Sequence, residues 1–270
     1  MACTGCGLTR LEPFPTTVEA AAIYGDDYFE AAAGGGYADY VRDERIHRRN
    51  ARARLRRIGE PSTPGEVIVD VGCAYGYTMS EARSFGWSPI GVEVNAAART
   101  AVEREGMTCV ESLADVQVPM GTVGAVTFFQ SLEHLTDPAG ALSAAAQLLR
   151  PGGRLVIETW DRSSAPARIL GARWQQATPP SVLWLFDRED LVHLCASSGF
   201  SVLTCKTTTK WVSAGLIAGQ MRFRGGNGIA VKFASRLADL PIPYALTDLI
   251  TVVAVRCSFE DDLGNEGGTS

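Results

Sequence analysis

The stretch Val67-Ile68-Val69-Asp70-Val71-Gly72-Cys73-Ala74-Tyr75-Gly76 decides how this chain is read. Val67, Ile68, Val69 and Val71 make a near-continuous β-branched run, as a strand covered on both faces of a parallel sheet requires. The run ends in Asp70 and passes into a glycine turn that opens a helix-like stretch over 76–85. In open α/β sheets ligands bind beyond the carboxyl ends of the strands, so Asp70 is delivered to a ligand edge. Gly72 and Gly76 lack Cβ and let the backbone approach a ligand closely. The start of the following helix offers N–H groups to a carboxylate or phosphate.

Strand and helix alternate outward from this point. Ser88–Val94 reads as a second strand, 96–105 as an alanine-rich helix stopped by Gly106, and 107–110 as a third, short strand. Val123–Phe129 is a fourth strand, and 138–149 is a helix with Asp137 as its N-cap and Pro138 at its first position. Gly152-Gly153 turns the chain into a fifth strand, 154–159. This order implies right-handed βαβ units. Later, Asp187 caps a helix running to Ser198, 201–206 is a sixth strand, and 249–255 is the last.

The 270 residues carry a net charge of −5, with 46% hydrophobic and 20% charged residues. Those values suit a globular domain and argue against a nucleic-acid partner, which asks for a basic surface. The first ten residues lack the apolar core of a secretory leader, and no stretch approaches the roughly 18 apolar residues of a membrane span. The expected location is cytoplasmic. Seven cysteines, an odd number and scattered beyond Cys6, read as reduced thiols. Cys3 and Cys6 supply two of the four ligands a structural zinc needs. They are either a remnant or half of a site completed across a homodimer. The arginine-rich run from Arg42 to Arg57, with Arg54 in it, reads as a solvated helix face, partly neutralised by Asp39, Asp43 and Glu44; the alternative is a site for an anionic substrate or nucleic acid.

A second acidic residue, Glu93, ends the second strand 17 positions past Gly76. A carboxylate there can accept hydrogen bonds from both hydroxyls of a ribose. The turn reads D-x-G-x-A-x-G and lacks the third glycine of the dinucleotide fingerprint. A nicotinamide-dependent oxidoreductase and a binding protein without turnover are the alternatives from other classes.

The chain resembles the class I S-adenosylmethionine-dependent methyltransferases, in the branch with an E-H-L-x-D-P segment. The matching residues are the Asp70–Gly76 turn, Glu93, the Phe129–Pro138 segment with Glu133-His134-Leu135, Leu148–Gly153 and Ser198-Gly199-Phe200. The resemblance implies a Rossmann-like α/β sheet of seven strands, the last antiparallel. Residues 1–60 would form an N-terminal helical cap, 61–257 the methyltransferase domain with a helical insertion at 211–240, and 258–270 a disordered tail. Asp70 and the backbone of Gly72, Cys73, Ala74 and Gly76 would hold the methionine end of S-adenosylmethionine, and Glu93 its ribose. Val94 and Asn95 would flank the adenine, with Leu113 and Ala114 opposite. Gln130, Ser131 and Leu132 would line the inner face, and Tyr28 would reach the cofactor from the cap or pack within it.

The resemblance also implies methylation of a small-molecule acceptor, at oxygen first, with nitrogen or carbon as alternatives. His134 is the candidate general base for a hydroxyl, with Glu133 beside it as the second candidate catalytic residue; the alternative role of His134 is to cap the next helix or support the loop. Some relatives carry E-x-x-E-H here and bind Mg²⁺. With neutral Gln130 at the first position, no metal is expected. Trp174, Trp184, Phe186 and Trp211 fall where the family builds its acceptor pocket. Two positions depart from the family: Ala74, often glycine, and Val182, often histidine. If position 74 needs a positive φ, alanine there costs about 1–2 kcal/mol.

Overall fold

A computed structural model describes residues 8–24, 40–223 and 237–257. Cys3, Cys6, Tyr28, Asp39 and the expected tail lie outside the described residues. In chain order, β1 (Thr9–Arg10) and α1 (Thr17–Ile23) precede α2 (Glu44–Ile58), β2 (Val67–Val71), α3 (Tyr77–Ser84) and β3 (Ser88–Val92). Then come α4 (Ala96–Arg104), β4 (Thr108–Val110), β5 (Val123–Phe129), α5 (Pro138–Leu148) and β6 (Leu149–Trp160). The chain continues through α6 (Ala165–Leu170), β7 (Trp184–Leu185), α7 (Arg188–Ser197) and β8 (Phe200–Thr207). It closes with β9 (Lys210–Ser213), α8 (Ala214–Phe223), β10 (Pro241–Tyr244) and β11 (Leu249–Arg256).

The main sheet has seven strands in the order β4-β3-β2-β5-β6-β11-β8. The five strands from β4 to β6 pair in parallel, and β11 runs antiparallel to both β6 and β8. This is the Rossmann-like sheet expected from the sequence, with the last strand inserted beside β6. Side chains alternate across each strand, so successive residues of β2 serve opposite layers. Val69 and Val71 pack with Phe128, Leu142 and Leu148 on one face. Ile68 packs with Leu55 and Ile58 of α2, and with Ala82 and Trp87, on the other. All seven residues of β5 are buried, because helices cover it on both sides.

Helix ends follow their local chemistry. Asp137 accepts from the Gly140 N–H at 2.9 Å with Pro138 in the first turn, and Asp187 forms a capping box with Asp190. Two expectations shift. β6 begins at Leu149 rather than 154; Gly152, at φ +69°, lies within a bulge, and the register against β5 slips between Val123 and Ala125. The stretch from 211, expected to be helical, opens as β9, which pairs with β10. Asn50 holds it there, donating from Nδ2 to the Trp211 carbonyl and accepting the Trp211 N–H, both at 2.8 Å.

The arginine-rich helix α2 is likewise not simply a solvated face. Arg45, Arg49, Arg52, Arg56 and Arg57 are exposed, but Arg48 and Arg52 pair with the buried Glu81, and Arg54 pairs with the buried Glu158. Asp43 accepts from the Ser213 hydroxyl at 2.7 Å. An amphipathic count from sequence misses this, because the carboxylates that turn Arg54 inward come from other elements.

Candidate functional site

The glycine turn after β2 is built by close approach. Gly72 adopts φ +77°, and a Cβ there would lie 2.5 Å from the Ser131 Cβ. The Ser131 hydroxyl donates to the Val71 carbonyl at 2.5 Å, stitching the ends of β2 and β5 together. Ala74 sits at φ +48° and Gly76 at φ +73°, so the family's frequent glycine at position 74 has its physical reason here. The backbone N–H groups of Gly72 and Cys73 donate to the Val92 carbonyl, that of Ala74 to Glu93, and that of Gly76 to the Cys73 carbonyl. These four N–H groups of the turn are therefore engaged within the protein, which leaves the first N–H groups of α3 as the donors expected at this edge.

Glu93 is 7% exposed and faces a cavity of about 1060 Å³. Its Oε2 accepts from the Ala74 N–H and its Oε1 from the Asn95 N–H, each at 2.9 Å. The Val94 N–H also favours its charged form, and a carboxylate has about four acceptor sites, so these N–H groups do not exhaust them. Burial raises its pKa, opposed by those N–H bonds. A buried carboxylate with spare acceptors at a cavity wall fits the two hydroxyls of a ribose. The cavity is also large enough for an adenosyl cofactor together with a small acceptor.

Of the residues anticipated from the sequence, Gly72, Ala74, Glu93, Val94, Leu113 and Ala114 line this cavity, as do Gln130, Ser131 and His134. Asp70, Cys73, Gly76, Asn95, Leu132 and Glu133 do not. Cys73 packs its Sγ 3.6 Å from that of Cys109, and Leu132 is fully buried in the core. Asn95 caps α4, accepting from the Ala98 N–H at 2.9 Å, and donates to the Tyr24 carbonyl at 3.1 Å. Tyr28 lies outside the described residues, whereas Tyr24 reaches the cavity.

Asp70 lies behind the turn, accepting from the Thr127 hydroxyl at 2.7 Å. Burial pushes its carboxyl up to about 6, against the opposing pull of Thr127 and Arg54. The folded-state value exceeds the unfolded one, so the stabilisation this group gives is present in acid and lost as pH rises between the two. Asp70→Asn keeps an acceptor for Thr127 and removes that cost. The variant is expected to gain about 2–3 kcal/mol relative to wild type between about pH 4 and pH 7. Urea unfolding of the cofactor-free protein at both pH values measures this, and a pH-independent difference would refute it.

His134 stands on the short turn after β5. Its Nδ1 is 2.6 Å from the Ser181 carbonyl oxygen, which also accepts from the Tyr24 hydroxyl at 2.6 Å. The Tyr24 ring meets the imidazole edge-on at 5.8 Å. A carbonyl can only accept, so Nδ1 carries the proton and the neutral ring keeps its lone pair on Nε2. Glu133, expected beside the reacting atoms, is buried behind the wall. Burial raises its pKa, and neither carboxyl oxygen makes a hydrogen bond of ordinary geometry, although the Thr159 hydroxyl favours its charged form.

The far end of the cavity is built by Arg54 of the arginine-rich run and by three residues the sequence did not single out, Trp160, Lys210 and Tyr244. Arg54 pairs with Glu158 and lies 4.6 Å over the Phe129 ring. His47 stacks on Tyr40 at 4.0 Å, and burial pushes it down to about 3, so it is neutral. Of the four aromatics anticipated for this end, only Trp211 lines the cavity. Trp174 donates from Nε1 to Asp248 and Trp184 from Nε1 to the Leu135 carbonyl, while Phe186 is core. One sequence signal could have pointed here: Lys210 is one of three lysines, with Lys206 and Lys232, in a chain that otherwise uses arginine. Among the described residues no cluster of three or more His, Cys, Asp or Glu side chains could hold a metal, and no helix is long and apolar enough to cross a membrane.

Known proteins share this architecture. A methyltransferase domain family matches residues 42–204. A ubiquinone biosynthesis O-methyltransferase from Alkalilimnicola ehrlichii is 35% identical over 153 residues, covering 47% of this chain and 61% of that protein. One from Nitrosococcus oceani is 32% identical over 112 residues, 38% of this chain and 47% of its own. The chain thus spans about half to three fifths of these relatives. Among solved structures, a Haloferax volcanii putative methyltransferase, in complex with its Trm112 activator, superposes with TM-score 0.60 at 16% identity, over 81% of this chain and 94% of that one. A Streptomyces coelicolor geranyl diphosphate C-methyltransferase, bound to S-adenosyl-L-homocysteine, superposes with TM-score 0.52 at 18% identity, over 79% and 78%. At such identities these structures speak for the fold. With the family match spanning more than half of its length, the chain belongs to the methyltransferase domain family, of the S-adenosylmethionine-dependent class I type.

Proposed function

We propose that this protein transfers a methyl group from S-adenosylmethionine to an oxygen of a small molecule, with His134 as the general base. The observation that carries the reading is the fixed tautomer of His134 in the cavity wall, its Nδ1 donating to the Ser181 carbonyl. The relatives named as O-methyltransferases support it. Bound S-adenosylmethionine supplies a methyl group already activated on a sulfonium. Glu93 binds the ribose hydroxyls, Val94, Leu113 and Ala114 enclose the adenine, and Gly72 and Ser131 bring the backbone against the cofactor. Trp160, Trp211 and Tyr244 make the far wall apolar and limit water there. His134 takes the acceptor's hydroxyl proton on Nε2 as the new O–C bond forms, and later releases it to solvent. Glu133 acts through the backbone, its carbonyl accepting the Leu183 N–H at 2.9 Å and tying the His134 turn to the Ser181 segment.

The test is a panel of phenols, amines and activated carbon acids, incubated with methyl-labelled S-adenosylmethionine and read by mass spectrometry. Oxygen-methylated products are expected from wild type. His134→Ala is expected to lower kcat about 100-fold while leaving S-adenosylhomocysteine affinity unchanged. Products methylated only at nitrogen or carbon would overturn the oxygen reading, and an unaltered kcat would remove His134 as base.

A further inference from the structure

Lys210, the first residue of β9, opens into the far end of the cavity. Its Nζ donates to the Gln130 Oε1 at 2.7 Å and lies 4.5 Å from the centre of the Trp160 ring. Four charged groups face it: Glu158 from β6, Arg54 from α2, Glu133 from the turn after β5, and Asp248 just before β11. None of the carboxylates among the described residues forms a salt bridge with it. Glu158 is taken by Arg54, burial favours the neutral form of Glu133, and Asp248 accepts through Oδ2 from Trp174 and from Tyr244, both at 3.0 Å, while its buried Oδ1 makes no hydrogen bond of ordinary geometry. The ammonium has given one of its three donors to a neutral amide. Burial pushes it down to about 8, with Arg54 adding to the shift and Glu158, Glu133 and Asp248 opposing it.

The surroundings hold this ammonium in place. Gln130 adopts φ +57°, a conformation strained for any residue but glycine. It is kept there by its N–H to the Glu158 carbonyl at 2.7 Å and its Nε2 to the Glu158 carboxylate at 3.1 Å. The two Asn50 bonds clamp the neighbouring Trp211 to α2. A fixed cation with donors to spare and no salt bridge among the described residues, lining the cavity together with Trp160, Trp211 and Ile217, is a receptor for an anion on an apolar frame.

We propose that Lys210 binds a negatively charged oxygen of the methyl acceptor, so that the acceptors are aromatic or other apolar molecules bearing a carboxylate or a phenolate. The proposal rests on the reading that this end of the cavity takes the acceptor, and it is independent of His134 as base. Lys210 is here a binding and orienting residue, and no bond to it forms or breaks.

The experiment measures binding to the full chain saturated with S-adenosylhomocysteine, at pH 8, without turnover. Two matched pairs serve as probes: benzoate against benzamide, and 4-nitrophenolate against 4-nitroanisole. In at least one pair wild type is expected to prefer the anion by about tenfold, and that pair names carboxylate or phenolate as the source. The preference is expected to vanish in Lys210→Met and to return in part in Lys210→Arg, with S-adenosylhomocysteine affinity unchanged throughout. No preference for either anion by wild type, including no binding of any probe, would overturn the proposal without reference to any variant. A preference surviving intact in Lys210→Met would also overturn it. Because no methyl is transferred, failure here is separable from failure of the oxygen-acceptor reading.

Discussion

Replacing Glu93 by alanine is expected to weaken S-adenosylhomocysteine binding by about 10²–10⁴-fold. Each hydrogen bond to a charged group contributes about 1.5–3 kcal/mol, and two ribose hydroxyls are at stake. Both oxygens of Glu93 spend one acceptor site on the turn that shapes the cavity, on Ala74 and on Asn95. The alanine variant therefore also leaves two buried N–H groups unpaired and loosens the turn at Ala74, whose positive φ already needs support. Calorimetric titration of wild type and variant with S-adenosylhomocysteine, S-adenosylmethionine and NAD measures the effect. Loss of both adenosyl ligands in the variant, with no NAD binding by either protein, is the expected result. Unchanged affinity in Glu93→Ala would remove this residue from the site.

Arg54→Met is expected to destabilise the fold by about 3–5 kcal/mol, the range for stripping one partner from a buried ion pair. The Arg54 side chain is 12% exposed and that of Glu158 2%. With the arginine gone, Glu158 is a buried carboxylate that must ionise without a partner or take up a proton. Burial raises the Glu158 pKa, but Arg54 outweighs it and holds the folded-state value below the ordinary carboxylate range. The stabilisation it provides is therefore present above the unfolded-state pKa and lost as pH falls through the folded-state one. The penalty of Arg54→Met is accordingly full near neutral pH and shrinks in acid. The double variant with Glu158→Leu is expected to recover most of the loss, because the carboxylate left without its arginine is then gone. Urea unfolding of the single and double variants decides this, and an additive double variant would show that the pair is not coupled.

How much of this was legible beforehand differs between elements. The boundaries of β5 were read to the residue, because an apolar run ended by Gln130-Ser131 has one reading beside a glycine-turned strand. The caps of α5 and α7 were equally plain, because a cap is chemistry within four residues. The expectation for 211–240 stumbled at its start, because the strand at Lys210–Ser213 exists through pairing with β10 and through Asn50, 161 positions away from Trp211. The same distance in sequence hid the far half of the cavity. Arg54 looked like one more surface arginine until Glu158 of β6 stood opposite it.

By itself the sequence determined the α/β class, the ligand edge after Asp70 and the placing of Glu93, since alternation, turns and caps are set by neighbours along the chain. The tertiary structure alone decided which of those residues face the cavity. It turned Glu133 and Leu132 inward, engaged the N–H groups of Gly72, Cys73, Ala74 and Gly76 within the protein, and assembled Arg54, Gln130, Glu158 and Lys210 from four separate elements. The physical reason is burial. A side chain's charge state and partners depend on what packing brings within a few ångströms of it, and that information lies in the whole fold.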